Sequence, residues 1–242
     1  MASNGVSAAK RSSLSEQVRN HILENIATGK FAPGDRVIEA RIAEDLGVST
    51  IPVREAIRDL VARRILEYVV HFGARVREVS MAETADALKV KAALEALASR
   101  LAGPGLYERI AELARYIQGM LASASRRDFV VYQEQNQLFH RTIVKASGNQ
   151  ILLNLWDSLA FEVRTRFIMD YLRSVDPSLL AREHEGIMAA IGAKDAEHAA
   201  VLLTQHADHL VSSIEAQMKA NAADRSVGHE EAAGKDGRRR RP

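Results

Sequence analysis

The sequence predicts a mainly α protein, with an N-terminal winged helix-turn-helix and a C-terminal six-helix antiparallel bundle. Three observations point there. The 242 residues hold only 14 Gly and 5 Pro, are 5% aromatic and are 47% hydrophobic, a composition that favours helices. Two short amphipathic segments separated by Gly47-Val48-Ser49 precede two alternating stretches. The remainder is a succession of helical patterns with short breaks. Cysteine is absent, which excludes disulfide scaffolds, thiolate zinc fingers and thiol catalysis. No apolar run approaches the length of a membrane span, so the expected location is cytoplasmic, with no membrane partner.

Residues 1–12 read as a polar tail. A helix over 13–29 follows from Leu14, Val18, Ile22 and Ile26 at four-residue spacing, with Gly29 as its stop. The turn Phe31-Ala-Pro-Gly-Asp35 leads to helices at 39–46 and 50–63. Leu66-Val70 and Arg75-Val79 flank His71-Phe72-Gly73-Ala74 as a small hairpin, which closes a front domain at 13–79. Ser80 with Glu83 forms a capping box that opens a helix to about 102, broken by Gly103-Pro104-Gly105. Further helices are expected at 106–122, 127–146, 150–173, 177–192 and 195–218, with Asp176 and Asp195 as N-caps. These six helices make a body domain at 80–218. Residues 219–242 read as a disordered basic tail. The formal charge of +2 divides into +2 over 1–79, −3 over 80–218 and +3 over 219–242. A slightly basic front ahead of an acidic body is compatible with nucleic-acid binding at the front.

In the helix-turn-helix (39–58), apolar faces built from Ile42, Ala43 and Leu46 and from Val53, Ala56, Ile57 and Leu60 pack together. They leave the start of the second helix exposed. Ser49 is its N-cap, and Pro52 sits in the first turn, where a missing N–H costs nothing. A helix N-terminus presents free N–H groups and partial positive charge to a phosphate backbone. Arg54 and Arg58, one turn apart, suit guanine edges or phosphates, while Thr50 and Ile51 suit a thymine methyl. The plainer reading pairs Arg54 with a nearby carboxylate.

The run IEARIAEDLGVSTIPVREAI (38–57), preceded by FAPGDRV (31–37) and followed by a hairpin with HFGA, resembles the GntR family of bacterial transcription regulators over residues 14–79. That resemblance implies a homodimer on a pseudo-palindromic double-stranded DNA operator. It puts helix 50–63 in the major groove, through Ser49, Thr50 and Arg54, and His71 and Gly73 at the wing tip. The chain departs from the family at Thr50, where relatives usually carry arginine, and at Ile51, often threonine. A third departure is Arg64-Ile65 in place of a frequent Gly-Leu, which suggests an altered approach into the first wing strand.

In the body, four polar residues fall on otherwise apolar faces. On 127–146 the face is Phe129, Tyr132, Phe139 and Ile143, with Asn136 near its centre and His140 about 40° to one side. His184 lies within roughly 20° of the middle of the Leu180-Ile187-Ile191 face, and His206 borders the Leu203-Ala207-Leu210-Ile214 face. Around a turn near residue 193, His184 and His206 differ in height by only ~4–5 Å, whereas His198 and His209 miss that level by roughly twice as much. Three imidazoles and an amide oxygen in one cavity make an open divalent-metal site; isolated core histidines are the alternative.

The phrases NQLFHRTIVKASGN (136–149) and EHEGIMAAIGAKD (183–195), with His206 downstream, resemble the FCD ligand-binding domain of the FadR subfamily, and six helices resemble its VanR-like branch. The resemblance implies Asn136, His140, His184 and His206 as metal ligands, with Asn136 where many relatives have Asp. Zinc suits three imidazoles best, with nickel, manganese and calcium as alternatives. It also implies a small carboxylate effector at the metal, with Lys91, Arg164 and Arg166 as candidate anchors. The function expected is an effector-controlled DNA-binding regulator, most often a repressor, and not an enzyme. A metal-responsive sensor is the main alternative. A metal-dependent hydrolase ranks behind both, because Glu183 and Glu185 lie roughly 100° to either side of His184.

Overall fold

A computed structural model describes residues 13–236, without the side chains of residues 165, 166, 170 and 222–236. The expected tail at 1–12, and residues 237–242, lie outside the described residues. The chain divides into two compact units, Met1–Glu78 and Val79–Pro242.

In the first unit, α1 (Leu14–Ala27) starts at Ser13, whose hydroxyl accepts from the Glu16 N–H at 3.2 Å. Helices α2 (Glu39–Leu46) and α3 (Thr50–Ala62) follow. Gly47 ends α2 at φ 64, a left-handed conformation that costs glycine no Cβ clash, and the Val48 N–H returns to the Ala43 carbonyl. Strands β1 (Leu66–Val69) and β2 (Gly73–Val76) pair antiparallel, Leu66 opposite Val76 and Val69 opposite Gly73, with an Arg75–Glu67 ion pair across them at 2.7 Å. Residues 34–37 run along β2 through Val37 N–H to Ala74 O and Val76 N–H to Asp35 O. Val18, Ile22, Ile42, Val53, Ile57, Leu60, Leu66 and Val76 close the core beneath.

The approach to β1 keeps a glycine-like backbone without the glycine. Arg64 adopts φ 59, and Ile65 N–H bonds Leu60 O at 2.9 Å. Arg64 thus takes a left-handed turn that a glycine would take without a Cβ clash, and it bears the steric cost. Arg64→Gly is expected to raise the unfolding free energy by about 0.5–1 kcal/mol, read by urea denaturation.

The second unit holds α4 (Met81–Ala102), α5 (Pro104–Tyr107), α6 (Ile110–Arg126), α7 (Phe129–Ala146), α8 (Gln150–Asp157), α9 (Phe161–Ser174), α10 (Pro177–Gly192) and α11 (Ala196–Asp236). Helix α4 packs against α11, α7, α8 and α9, and so forms the spine on which the site is built. Phe139, Leu113, Ile117, Met120, Ile143 and Leu172 are fully buried in the core of this unit.

Three expectations change here. The helix expected at 106–122 is preceded by the separate turn α5 and runs from Ile110 to Arg126. The helix expected at 150–173 breaks at 158–160, where Ala160 takes φ 51. The expected six helices thus become eight among the described residues. The break carries no glycine or proline; it re-aims the chain so that Trp156 of α8 and Phe161 of α9 both enter the core. The tail expected to be disordered from 219 instead continues α11 to Asp236, through a proline-free stretch rich in the helix formers Ala, Glu and Lys.

Candidate metal centre and nucleic-acid interface

Helix α7 carries Asn136 and His140 one turn apart, facing His184 of α10 and His206 of α11. One nitrogen from each of the three histidines falls within 4.8 Å of the others. His184 Nε2 lies 3.3 Å from His140 Nε2 and 2.9 Å from Asn136 Oδ1. His140 and His184 are fully buried and His206 is half-buried.

What fixes the rings is on their far sides. His184 Nδ1–H donates to the Leu180 carbonyl at 2.9 Å, and His206 Nδ1–H donates to Glu183 Oε2 at 2.6 Å. His140 Nδ1 meets Glu95 Oε2 at 2.9 Å, off the line of a regular hydrogen bond. With each Nδ1 turned to an oxygen, each Nε2 keeps its lone pair for the centre, the arrangement that orients metal-ligating imidazoles. Burial pushes His140 down to about 4, against the opposing pull of Glu95, and holds His184 well below the usual histidine range. Both are neutral at neutral pH, as a ligand must be. Converging nitrogen lone pairs and an amide oxygen fit a divalent cation, with positions left open for water or a ligand.

The structure also places residues that the sequence did not single out. Glu95 is 1% exposed and collects three groups. Its Oε1 accepts from Lys91 Nζ at 2.6 Å and from Trp156 Nε1–H at 2.8 Å, while Oε2 faces His140. Burial would raise this carboxyl, but His140 and Lys91 outweigh it and hold Glu95 near about 2. Burial lowers Lys91 despite its partner. The sequence signal for Glu95 was its place four residues beyond Lys91 on the buried, alanine-rich face of α4. Glu183, set aside as off the His184 face, accepts from His206 and also from the exposed His209 at 2.9 Å. These two carboxylates orient imidazoles, so neither stands as a base for a bound water.

A cavity of about 30 Å³ adjoins the cluster, lined by Lys91, Gln133, Asn136, Gln137, His140 and His206 among others. Of the three expected anchors, Lys91 lines it. Arg164 does not; it is buried against Glu83 Oε1 at 3.0 Å and the Ala160 carbonyl at 3.2 Å. The Arg166 side chain lies outside the described residues.

In the first unit, Ser49 is the N-cap of α3 with no side-chain capping bond. Thr50, Ile51, Arg54 and Arg58 are all exposed along one end of α3, Ile51 to 68%. Arg54 Nε donates to Glu39 Oε2 at 2.6 Å, the carboxylate pairing that the plainer reading expected. The wing tip is Val70-His71-Phe72, with His71 exposed at φ 67 and Gly73 at φ 80; the Phe72 N–H closes it onto Val69 O.

Residues 14–76 match the model of the bacterial regulatory proteins of the gntR family, and residues 86–209 match the FCD domain. A protein of Paenarthrobacter nicotinovorans, "Probable D-xylose utilization operon transcriptional repressor", is 36% identical over 81% of this chain and 86% of its own length. The chain belongs to the GntR family. The GntR match spans α1 to β2 and contains all seven candidate DNA-contacting residues; the FCD match contains the four candidate metal ligands. The Escherichia coli regulator McbR is 30% identical over 80% of this GntR chain and 89% of its own. Its solved structure superposes with a TM-score of 0.73 at 25% identity, covering 86% of this chain and 99% of that one. These relatives are transcriptional regulators, and this GntR protein is a regulator rather than an enzyme.

Proposed function

We propose that the protein is a dimeric transcriptional repressor of the FadR subfamily, acting in the cytoplasm. In this reading a small organic acid, bound against a divalent metal held by Asn136, His140, His184 and His206, sets its affinity for a pseudo-palindromic operator. Zinc is the metal that three imidazoles favour, ahead of nickel, manganese and calcium. Residues 13–79 read DNA and residues 80–218 sense the effector. The observation that carries the reading is the convergence of three imidazoles, each with its Nδ1 turned to an oxygen and away from the centre. The repressor sense draws on the name of the xylose-operon relative. The VanR-like branch rested on a count of six helices, which the separation of α5, α8 and α9 removes. Arg164, engaged with Glu83, is no longer an anchor in this reading, which leaves Lys91 and Arg166.

A second copy of the chain suits an exposed apolar stripe on α4. Val90, Ala93, Leu97 and Leu101 recur at three- and four-residue spacing and are all exposed, Val90, Leu97 and Leu101 to 44–50%. At the operator, Ser49, Thr50, Ile51, Arg54 and Arg58 enter the major groove, and His71 and Gly73 bring the wing tip to the neighbouring groove. Arg54 must exchange Glu39 for DNA. Arg54→Ala is expected to weaken operator binding by about 1–3 kcal/mol per half-site, with log affinity falling steeply against log salt. An unchanged affinity and a flat salt response in fluorescence anisotropy would contradict this role.

A metal-responsive sensor is the second reading, favoured by the size of the cavity, about 30 Å³, room for some two waters. Titrating operator complexes with metal alone, and then with metal plus short carboxylic acids, separates the two. The acid-sensing reading expects metal alone to leave affinity within about twofold and the acid to change it 5–150-fold. Release by metal alone supports the sensor.

A further inference from the structure

Gln133 lies on α7 one turn before Asn136 and is 5% exposed. Among the described residues neither its Nε2 nor its Oε1 has a hydrogen-bond partner, and Gln133 lines the cavity beside the histidine cluster. A buried amide with both ends unpaired is among the costlier groups to keep inside a protein. Leucine would fill the same space without that cost. The amide offers two N–H donors and a carbonyl acceptor, so its full complement is a group that both donates and accepts. Lys91 lines the same cavity and has three N–H donors, of which one is spent on Glu95.

We propose that Gln133 is a specificity-determining residue, selecting ligands that carry a hydroxyl beside a carboxylate. The hydroxyl exchanges hydrogen bonds with the Gln133 amide, and the carboxylate takes the Lys91–metal side of the cavity. This rests on the metal-pocket reading above and adds the class of acid. The cavity admits only the head of such a ligand. A longer chain would leave past Gln137 and Leu210, two half-buried members of its lining. A site with an otherwise unpaired polar group rejects the analogue that lacks the matching hydroxyl more strongly than a site of simple shape does.

The test is calorimetric titration of the metal-loaded full chain with glycolate and with acetate, the shortest pair differing only in the hydroxyl. Wild type is expected to bind glycolate roughly ten- to hundredfold more tightly than acetate. Gln133→Leu is expected to melt no lower than wild type, since it removes an unpaired amide, and to bind the two acids within about twofold of each other. Equal binding of both acids by wild type, or a glycolate preference that survives Gln133→Leu, overturns the proposal and leaves the metal pocket intact. Stoichiometric metal uptake with no binding of either acid overturns it as well. Failure to take up metal overturns the metal-pocket reading, and this proposal with it.

Discussion

Glu95→Ala is expected to destabilise the FCD domain by about 3–5 kcal/mol, the scale on which breaking a buried ion pair from one side costs a fold. The substitution strips three groups at once. Lys91 Nζ loses its partner at 2.6 Å while it stays 6% exposed, Trp156 Nε1–H loses its acceptor at 2.8 Å, and His140 Nδ1 loses its facing oxygen. The unpaired ammonium is the dominant part, because a lone buried charge has neither water nor counter-ion. That makes the effect separable. In Glu95→Ala with Lys91→Met, most of the loss should return, since no charge is left without a partner. Urea unfolding of the two single variants and the double gives the coupling. Additive losses, or a Glu95→Ala cost below about 1 kcal/mol, would contradict the role given to this carboxylate.

Removing His140 and His184 together is expected to abolish tight binding of a divalent ion at one site per chain. Two of four donors vanish, and those that remain, Asn136 and His206, sit on different helices with no third imidazole to complete the set. Glu183→Gln is the graded counterpart. It leaves every ligand in place but weakens the acceptor that orients His206, so metal affinity should fall by about 10–100-fold. Elemental analysis after equilibration with zinc reads both variants. Wild-type protein without metal under those conditions, or a double variant that retains one ion per chain, would contradict the site.

Which parts of this were legible in the sequence depended on whether a feature was local. The helix-turn-helix announced itself because Gly47, Ser49 and Pro52 punctuate it and its apolar faces recur at helical spacing. The four candidate ligands could be placed on converging faces from periodicity and the height of one turn. What supports them could not. Glu95 looks like any helical glutamate until α7 and α8 bring His140 and Trp156 onto it. Glu183, well off the His184 face, reaches His206 because α10 and α11 lie side by side. Arg164 read as a cation near the pocket, and only the packing of α9 commits it to Glu83. The break between α8 and α9 has no glycine or proline to mark it; core packing imposes a left-handed residue on Ala160. At Arg64 the residue type gave no sign of the left-handed turn that the fold imposes there at a local steric cost.

The central claim is that the histidine cluster controls DNA binding. It is tested most directly by measuring operator affinity with and without glycolate, for the zinc-loaded wild type and for the His140→Ala/His184→Ala variant, on a duplex selected by the wild-type protein. A glycolate-dependent change of 5–150-fold is expected in wild type, equivalent to about 1–3 kcal/mol of coupling, and none in the variant, which should still bind the operator. A response of equal size in both proteins would contradict it.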